Sequence, residues 1–586
     1  MQQAGKLIFD FAFDEQKKKR LVFSDPVDMI VANAKSEVIS AMEKIETYIK
    51  QGFYAGGYIS YEAGEGFDNN LKTSDDFDLP LIMMGIYKEP VEKTIDEQEY
   101  AQPSQLVDWE MSTSKEKYLK NISSIKNSIA QGDTYQVNYT ARLHSDNVVR
   151  DHDLYEKLSK AQKANYCAHL QLGRYNIVSA SPELFFQLKE GKILTKPMKG
   201  TIKRGKSIEE DIRNKQLLSE SIKDQAENLM IVDLLRNDIS KIAKKGTVTV
   251  PKLFNVESYP TVFQMTSTVS AEIEENIGMI DIFKALFPCG SITGAPKQST
   301  MQIIQELEKS PREVYCGSIG YITPNQEAIF NVAIRTALID TEQNTMSYGV
   351  GGGITWDSNP EAEYQEAWAK AEILKCINET DIELLETMKF NNGSYYLLNH
   401  HLDRLSKSAN YFNYSLSIKE VEQKLYKYAE ENFKQKKAYR VRLLANKLGE
   451  IKINFTTIPL RNEKPINTFQ LATSPINKSN PYYYHKTTFR KMYEKFREEL
   501  GDAFDILLWN DKEELTEFTM GNLVVKAQGK YWTPPIKSGL LAGTFRQQLI
   551  DEKKIKERII SKSELESVDE IWFINSVRGW VQMFQQ

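Results

Sequence analysis

Carboxylates at helical spacing among apolar residues are the first chemistry visible in this sequence. In SIKDQAENLMIVDLLRNDI, Glu227, Met230, Ile231 and Leu234 share one helical face, and Asp224 lies one turn earlier on that side. A carboxylate on a burying face needs a cation or several donors. A second acidic helix is predicted after DSNPEAEYQEAWAKAEIL. There Glu363 and Glu366 are i,i+3 neighbours, and Lys370 lies i+4 from Glu366. Each helix reads two ways. Glu227 could pair with Arg236 or another base, and the second helix could be a salt-bridged solvent face. The alternative is that both converge on Mg²⁺, a hard dication that takes a few carboxylate oxygens and accepts others from an anionic substrate.

Two glycine-rich stretches, PCGSITGAPK (288–297) and YGVGGGITW (348–356), offer backbone N–H groups that can cup a carboxylate or phosphate. Gly351, Gly352 and Gly353 in a row lose much backbone entropy on folding. Close approach of a ligand or another backbone is one reading, and a structural turn is the other. Tyr321 and Arg335 lie near these stretches, and Arg335 can hold a carboxylate bidentately. A small dianionic substrate beside magnesium would use all these parts. GTIKRGKS (200–207) fits the GxxxxGK[ST] phosphate loop, but nucleotide binding is rejected. The following helix opens with Glu209, Glu210 and Asp211, where phosphates would sit. The preceding strand carries Lys196 and Pro197, a poor fit to a buried parallel strand.

The elements that must position these groups alternate irregularly. KEKYLKNISSIKNSIAQGD reads as a helix ended near Gly132, and TYQVNYTARLH and RYNIVSASPELFFQL read as strands. Residues 1–110 mix short strands with a helix in 31–51, and the acidic stretch 89–108 reads as a surface connection. This order predicts an α+β fold rather than a doubly wound parallel sheet. Asn391-Asn392-Gly393 suits a hairpin turn. The 586 residues carry 75 Lys+Arg against 80 Asp+Glu, a net charge of −5, so no basic surplus calls for nucleic acid or a membrane surface. Cys167, Cys289, Cys316 and Cys376 lie too far apart for a disulfide framework or a structural zinc site. No long apolar run and no secretory order of charges is visible, so a soluble cytoplasmic protein is expected.

Taken together, GDTYQVNYT, SASPELFF, KPMKGTIKRG, ENLMIVDLLRND, VESYP, GSITGAPK, GYI, AIRTA and GGGITWDSNPEAEYQEAWAK resemble the chorismate-utilising enzymes, in that family's order across about 130–375. The resemblance implies an α+β unit over 1–380, with core motifs at 115–378, chorismate as substrate and Mg²⁺ clamping its ring carboxylate. It implies Glu227 and Glu366 as metal ligands, with Asp224 and Glu363 near through water. Thr293, Tyr321, Arg335, Lys370 and the amides of Gly351, Gly352 and Gly353 would grip carboxylates, and Gln136 would line the same site. Family members that add water carry a Lys where this chain has Gln136, which cannot serve as that base. Anthranilate synthases read PIAGT where this chain reads Pro197-Met198-Lys199-Gly200-Thr201, and Lys199 resembles the nucleophile of the aminodeoxychorismate synthase branch. Glu183 matches that branch's acid/base at the C4 oxygen. One departure is Gln264, where the family has a His near the ring carboxylate; weaker binding or altered proton handling is expected.

Residues 381–586 are similar to the fold-type IV pyridoxal-phosphate enzymes through LLETMKF, NHHLDRL, HKTTFR, LLWNDKEELTEFTMGNLVV, GLLAGTFRQ and FINSVRGW. The resemblance makes Lys486 the lysine at the aldehyde of pyridoxal 5'-phosphate and Glu517 the partner of its pyridine nitrogen. Arg404, Gly543, Thr544 and Ser576 would contact its phosphate. HKTT points to the aminodeoxychorismate lyase branch, so a bifunctional route to 4-aminobenzoate is expected. The alternatives are an anthranilate-type or water-adding enzyme joined to a class IV aminotransferase, and a regulatory module with vestigial motifs. No glutaminase elbow is present, which implies a separate glutamine amidotransferase partner. The second resemblance also implies a homodimer through the C-terminal domain.

Overall fold

The period-two run Leu7–Asp14 turns Leu7, Phe9 and Phe11 to one face, and all three are buried. The computed structural model describes residues 5–14, 17–93, 108–162, 164–205, 208–259, 262–371, 374, 382–433, 437–458 and 467–586. The chain divides into Met1–Lys203 with Asn214–Asn378, and Arg204–Arg213 with Glu379–Gln586. The boundary expected at 378–382 falls largely on residues 375–381, outside the described residues.

In the N-terminal unit, two antiparallel sheets of ten described strands each lie face to face. One runs from Gly294–Ala295 through Gln136–Ser145, Thr345–Ile354, Thr336–Asp340, Tyr175–Ser181 and Tyr166–Leu172 to Leu7–Asp14 and beyond. The other runs from Met198–Lys203 through Val262–Glu272, Lys192–Lys196, Leu184–Lys189, Ala328–Val332 and Ser318–Ile322 to Tyr54–Ile59 and beyond. Leu7, Phe9, Phe11, Tyr58, Ile319 and Tyr321 fill the space between the sheets. Helices Val38–Lys50, Ile222–Ser240 and Met279–Leu286 cover the outer face of the second sheet. Helices Lys115–Gln131, Asp151–Gln162 and Pro360–Ala371 cover the first. The result is the mixed, predominantly antiparallel α+β architecture expected. Lys115–Gln131 is capped by the Ser114 hydroxyl and ends at Gly132, whose φ of 84° is the left-handed turn a glycine allows.

Residues 94–107 of the supposed surface connection lie outside the described residues. Val91–Lys93 is an edge strand paired with Lys17–Phe23, because Leu21 and Val22 leave backbone groups that need partners. The rejected phosphate loop is occupied from within: the Gly205 amide donates to Asp211 Oδ1 at 2.8 Å, and Arg204 Nε donates to the same atom at 2.7 Å. Cys167, Cys289 and Cys316 are free and buried, and Cys376 lies outside the described residues. Among the described residues no helix is long and apolar enough to cross a membrane.

In the C-terminal unit, Leu384–Asn391 turns back onto Ser394–Tyr395 through Asn392 (φ 52°) and Gly393 (φ 80°), the two left-handed positions of a tight hairpin. Tyr439–Ala445 and Ile451–Thr457 complete that sheet, and helices Leu398–Phe412 and Ile418–Asn432 cover it. A second, mixed sheet has eight described strands, with Asn467–Leu471 parallel to both Asp505–Trp509 and Gly579–Gln585. Helix Thr544–Asp551 packs Phe545 and Leu549 against Val524 and Ile574 of this sheet.

Phe283 joins the first core, with Phe67, Phe185, Phe186 and Phe330 ring centroids 5.2–6.0 Å away. Phe283→Ala should therefore destabilise the N-terminal unit by about 3–5 kcal/mol. Urea unfolding followed by tryptophan fluorescence measures this, and a loss below about 1 kcal/mol would contradict the packing described.

Candidate active sites

Strand Met198–Lys203 lies at the end of its sheet and delivers Lys199 to the turn Gly290–Ile292, which follows helix Met279–Leu286. Lys199 Nζ donates to the Ser291 carbonyl at 2.9 Å. A Cβ added at Gly353 would lie 3.3 Å from Lys199 Nζ and 2.1 Å from Gln136 Nε2. Segments around 136, 199, 291 and 353 therefore meet at one amine. Burial lowers the Lys199 pKa; Glu183 and Glu227 oppose the fall, and Lys370 adds to it. Burial pushes Glu183 up to about 7, against the pull of Ser291 and Lys199. Among the described residues neither its Oε1 nor the buried Gln136 Oε1 has a hydrogen-bond partner. An amine inclined to be neutral beside an acid inclined to stay protonated has the chemistry to pair nucleophilic attack with proton donation.

The two acidic helices lie beside this amine. Arg236 pairs with Asp233 at 2.9 Å, so it is not the partner of Glu227; Lys223 approaches Glu227 at 3.9 Å. Burial raises the Glu227 pKa, and Asp224 and Glu363 add repulsion. Burial and Glu366 raise Glu363, which accepts from Ser358 Oγ at 2.7 Å. Lys370 lies 2.8 Å from Glu366, lowers its pKa and donates to the Gly351 carbonyl at 2.7 Å. Asp224 packs against Gly200, where an added Cβ would lie 2.8 Å from the Asp224 Cβ. Among the described residues no three His, Cys, Asp or Glu side chains gather tightly enough to hold a metal ion. Lys223 and Lys370 lie among the acids, each i,i+4 from a glutamate of its own helix.

Arg335 adopts φ 52°, and burial lowers its pKa while Tyr348, Tyr259 and Tyr315 oppose that. Among the described residues no ion pair is formed by this guanidinium. Thr293 turns its hydroxyl to the Cys289 carbonyl at 3.1 Å. Tyr321 is a correction. Its ring lies between the sheets among Phe9, Phe11 and Phe23, with centroids 5.3–6.0 Å away, and cannot grip a ligand beside Lys199. Strand parity explains this, since Tyr321 shares the inward face of Ser318–Ile322 with Ile319. Tyr315 was not singled out from the sequence. It lies near Arg335 under the Arg142 guanidinium, 4.8 Å from its ring centroid. Gln264 lies on the strand paired with the one that carries Lys199, opposite Thr201. It accepts from Thr201 Oγ1 and donates to the Gly200 carbonyl, both at 2.8 Å, so its amide fixes the strand that carries Lys199.

The second site lies wholly in the C-terminal unit. Burial, with Arg404 and Arg490, draws Lys486 down to about 7 against Glu386 and Glu517. Burial raises Glu517 to about 8. Glu517 accepts from Tyr493 Oη at 2.7 Å and from Asn522 Nδ2 at 3.2 Å. Arg404 forms two bonds to Glu386, at 2.7 and 2.9 Å, and a third to the Ala542 carbonyl at 3.0 Å. Gly543 opens helix Thr544–Asp551 without a side-chain cap, and a Cβ there would fall 1.8 Å from Asn522 Oδ1. Such an uncapped helix N-terminus has the polarity to receive an anion. Ser576 Oγ lies 3.5 Å from the Thr387 carbonyl. Glu386, His401, Tyr493 and Asn522 were not singled out from sequence; each supports a residue that was.

Comparison with known proteins matches residues 8–375, most of the chain, to the chorismate binding enzyme family. The chain belongs to that family. Residues 383–583 match the class IV amino-transferase family, so a chorismate-binding domain is followed by a class IV domain. Aminodeoxychorismate synthase component 1 of Salmonella typhimurium is 41% identical over 262 residues, 45% of this chain and 57% of that protein. Anthranilate synthase component 1 of Aquifex aeolicus is 38% identical over 266 residues, 45% of this chain and 53% of that protein. The chain thus spans little more than half the length of these relatives. A crystal structure of anthranilate synthase component I from Streptococcus pneumoniae has the same fold at 23% identity and a TM-score of 0.54, covering 62% of this chain and 93% of that one.

The Lys486 amine gives a direct readout. Its pKa lies near 7 instead of 10.5, so its neutral fraction rises through pH 7. Acylation of the cofactor-free chain, followed by peptide mass spectrometry, should show Lys486 labelling climbing through that pH. A midpoint in the ordinary lysine range would overturn the electrostatic picture of this site.

Proposed function

We propose that this chain makes 4-aminobenzoate from chorismate in two steps, one in each unit. The observation that carries the reading is the buried Lys199 amine, with its pKa lowered, acting electrostatically on the protonated-leaning Glu183. Lys199 attacks C2 of chorismate, and the C4 hydroxyl leaves as water with a proton from Glu183. Ammonia then attacks C4, and the C2 bond to Lys199 breaks, giving 4-amino-4-deoxychorismate and the restored amine. Arg335, Lys370, Gln136, Thr293 and the Gly351–Gly353 backbone would grip the substrate. Mg²⁺ would be held by Glu227 and Glu366, with Asp224 and Glu363 near it. The fit rests on the carboxylates' mutual repulsion, which a dication relieves while accepting a substrate carboxylate. The name "component 1" on similar proteins supports a separate glutamine amidotransferase as ammonia source.

In the C-terminal unit, Lys486 would hold the aldehyde of pyridoxal 5'-phosphate and Glu517 its ring nitrogen. Arg404, Gly543, Thr544 and Ser576 would surround the phosphate. The uncapped helix start and the raised Glu517 fit a phosphate and a protonated pyridine respectively. When bound, that group supplies an electron sink. Lys486 takes the C4 proton of the aminated ring, pyruvate departs and the ring becomes aromatic. Cytoplasmic location and a homodimer through the C-terminal domain belong to the same reading. A second reading, an anthranilate-type first step joined to a class IV aminotransferase, is favoured by the likeness to an anthranilate synthase component 1.

Product identification decides. Chorismate, ammonia, Mg²⁺ and pyridoxal phosphate should yield 4-aminobenzoate from this chain alone. Lys199→Ala should lower that output by at least about a hundredfold with no aminated intermediate. Lys486→Ala should let 4-amino-4-deoxychorismate accumulate, convertible by added wild-type chain. Anthranilate as product, or unimpaired 4-aminobenzoate from either variant, would overturn the assignment.

A further inference from the structure

The first strand of the C-terminal unit carries a carboxylate that the proposed chemistry does not use. Glu386, on Leu384–Asn391, is buried. Burial opposes its ionisation, yet Arg404 and His401 draw its pKa down to about 2. Being ionised, it can only accept hydrogen bonds. Its Oε1 accepts from Arg404 Nε at 2.9 Å, and its Oε2 accepts from Arg404 Nη2 at 2.7 Å. The same Oε2 lies 2.6 Å from His401 Nδ1, which must therefore be the donor. That bond fixes the tautomer, so Nε2 accepts from Thr544 Oγ1 at 3.3 Å, and burial keeps the imidazole neutral. His401 and Arg404 are i,i+3 on helix Leu398–Phe412, so one carboxylate can reach both. Arg404 Nη1 meanwhile holds the Ala542 carbonyl, one residue before the uncapped start of helix Thr544–Asp551.

We propose that Glu386 is the positioning residue of a phosphate-binding pocket: it orients Arg404 toward one anion and, through His401, anchors Thr544 at the start of the helix whose amides face that anion. This rests on the reading that the unit binds pyridoxal phosphate, and adds how the phosphate end is organised. A carboxylate beside a phosphate would repel it if it faced the ligand. Here both oxygens are turned to cations, and the fork of Arg404 keeps donors free on its other edge. Positive charge is thereby aimed at one place.

Equilibrium titration of the cofactor-free full chain with pyridoxal phosphate and with unphosphorylated pyridoxal, read by tryptophan fluorescence, separates the phosphate grip from the rest of the site. Glu386→Gln should weaken pyridoxal phosphate about tenfold to a hundredfold, the range of one or two charged hydrogen bonds, and leave pyridoxal within about twofold. Should that variant not fold, His401→Gln makes the same comparison through the Thr544 arm. An unchanged preference for the phosphorylated form, or an equal loss for both ligands, would overturn the positioning role. Failure of the wild-type chain to bind either ligand would instead remove the reading beneath it.

Discussion

A lysine amine taken out of water cannot keep its proton on ordinary terms, and both units are built around that constraint. Full burial moves a lysine pKa down by roughly 3–5 units, and nearby carboxylates move it back. At Lys199 the opposing carboxylates are Glu183 and Glu227; at Lys486 they are Glu386 and Glu517. The same lack of water pushes an acid upward in each unit, Glu183 to about 7 and Glu517 to about 8. Each site thus couples an amine that releases its proton easily to an acid that holds one. Because a shift of one unit corresponds to about 1.4 kcal/mol, the surrounding dipoles need move only slightly to change which group carries the proton.

Much of the local structure was legible because it rests on short-range rules. Gly132 ends its helix, and the Asn392–Gly393 turn forms, because those residues tolerate left-handed backbone. The helical face bearing Asp224 and Glu227 follows from the 3.6-residue repeat. The phosphate-loop pattern failed for the electrostatic reason visible in the sequence: Asp211 takes the amide a phosphate would need.

What was not legible depends on contacts between distant segments or on strand parity. The Ser291 carbonyl that meets Lys199 is 92 residues away, and no local pattern marks a backbone acceptor. Tyr321 was read as a ligand contact; only the alternation of buried faces along Ser318–Ile322 shows that it points inward. Gln264 looked like a weakened substrate contact. Its two amide ends hold Gly200 and Thr201, a geometry set by the pairing of Thr201 opposite Gln264 and not visible in the local pattern. Lys370 was read as a substrate grip; it also pairs with Glu366 and donates to the Gly351 carbonyl, the second a contact between distant segments that no local pattern marks.

The three consecutive glycines show how one sequence feature can answer three separate demands. Gly351, Gly352 and Gly353 lie within strand Thr345–Ile354, opposite Thr140, Tyr139 and Asn138. Glycine weakens a strand, so each position needs its own reason. At Gly351 a Cβ would fall 2.3 Å from the Tyr139 carbonyl oxygen, a clash with backbone that no rotamer relieves. At Gly352 it would lie 3.3 Å from Lys370 Nζ and 3.5 Å from Glu363 Oε2, groups that can shift. At Gly353 it would displace the Gln136 amide and press on the Lys199 amine. The first glycine is therefore a condition of folding, the second leaves room among charged groups, and the third leaves Lys199 an open approach. Alanine at the three positions should not act alike, since only the third touches the amine directly.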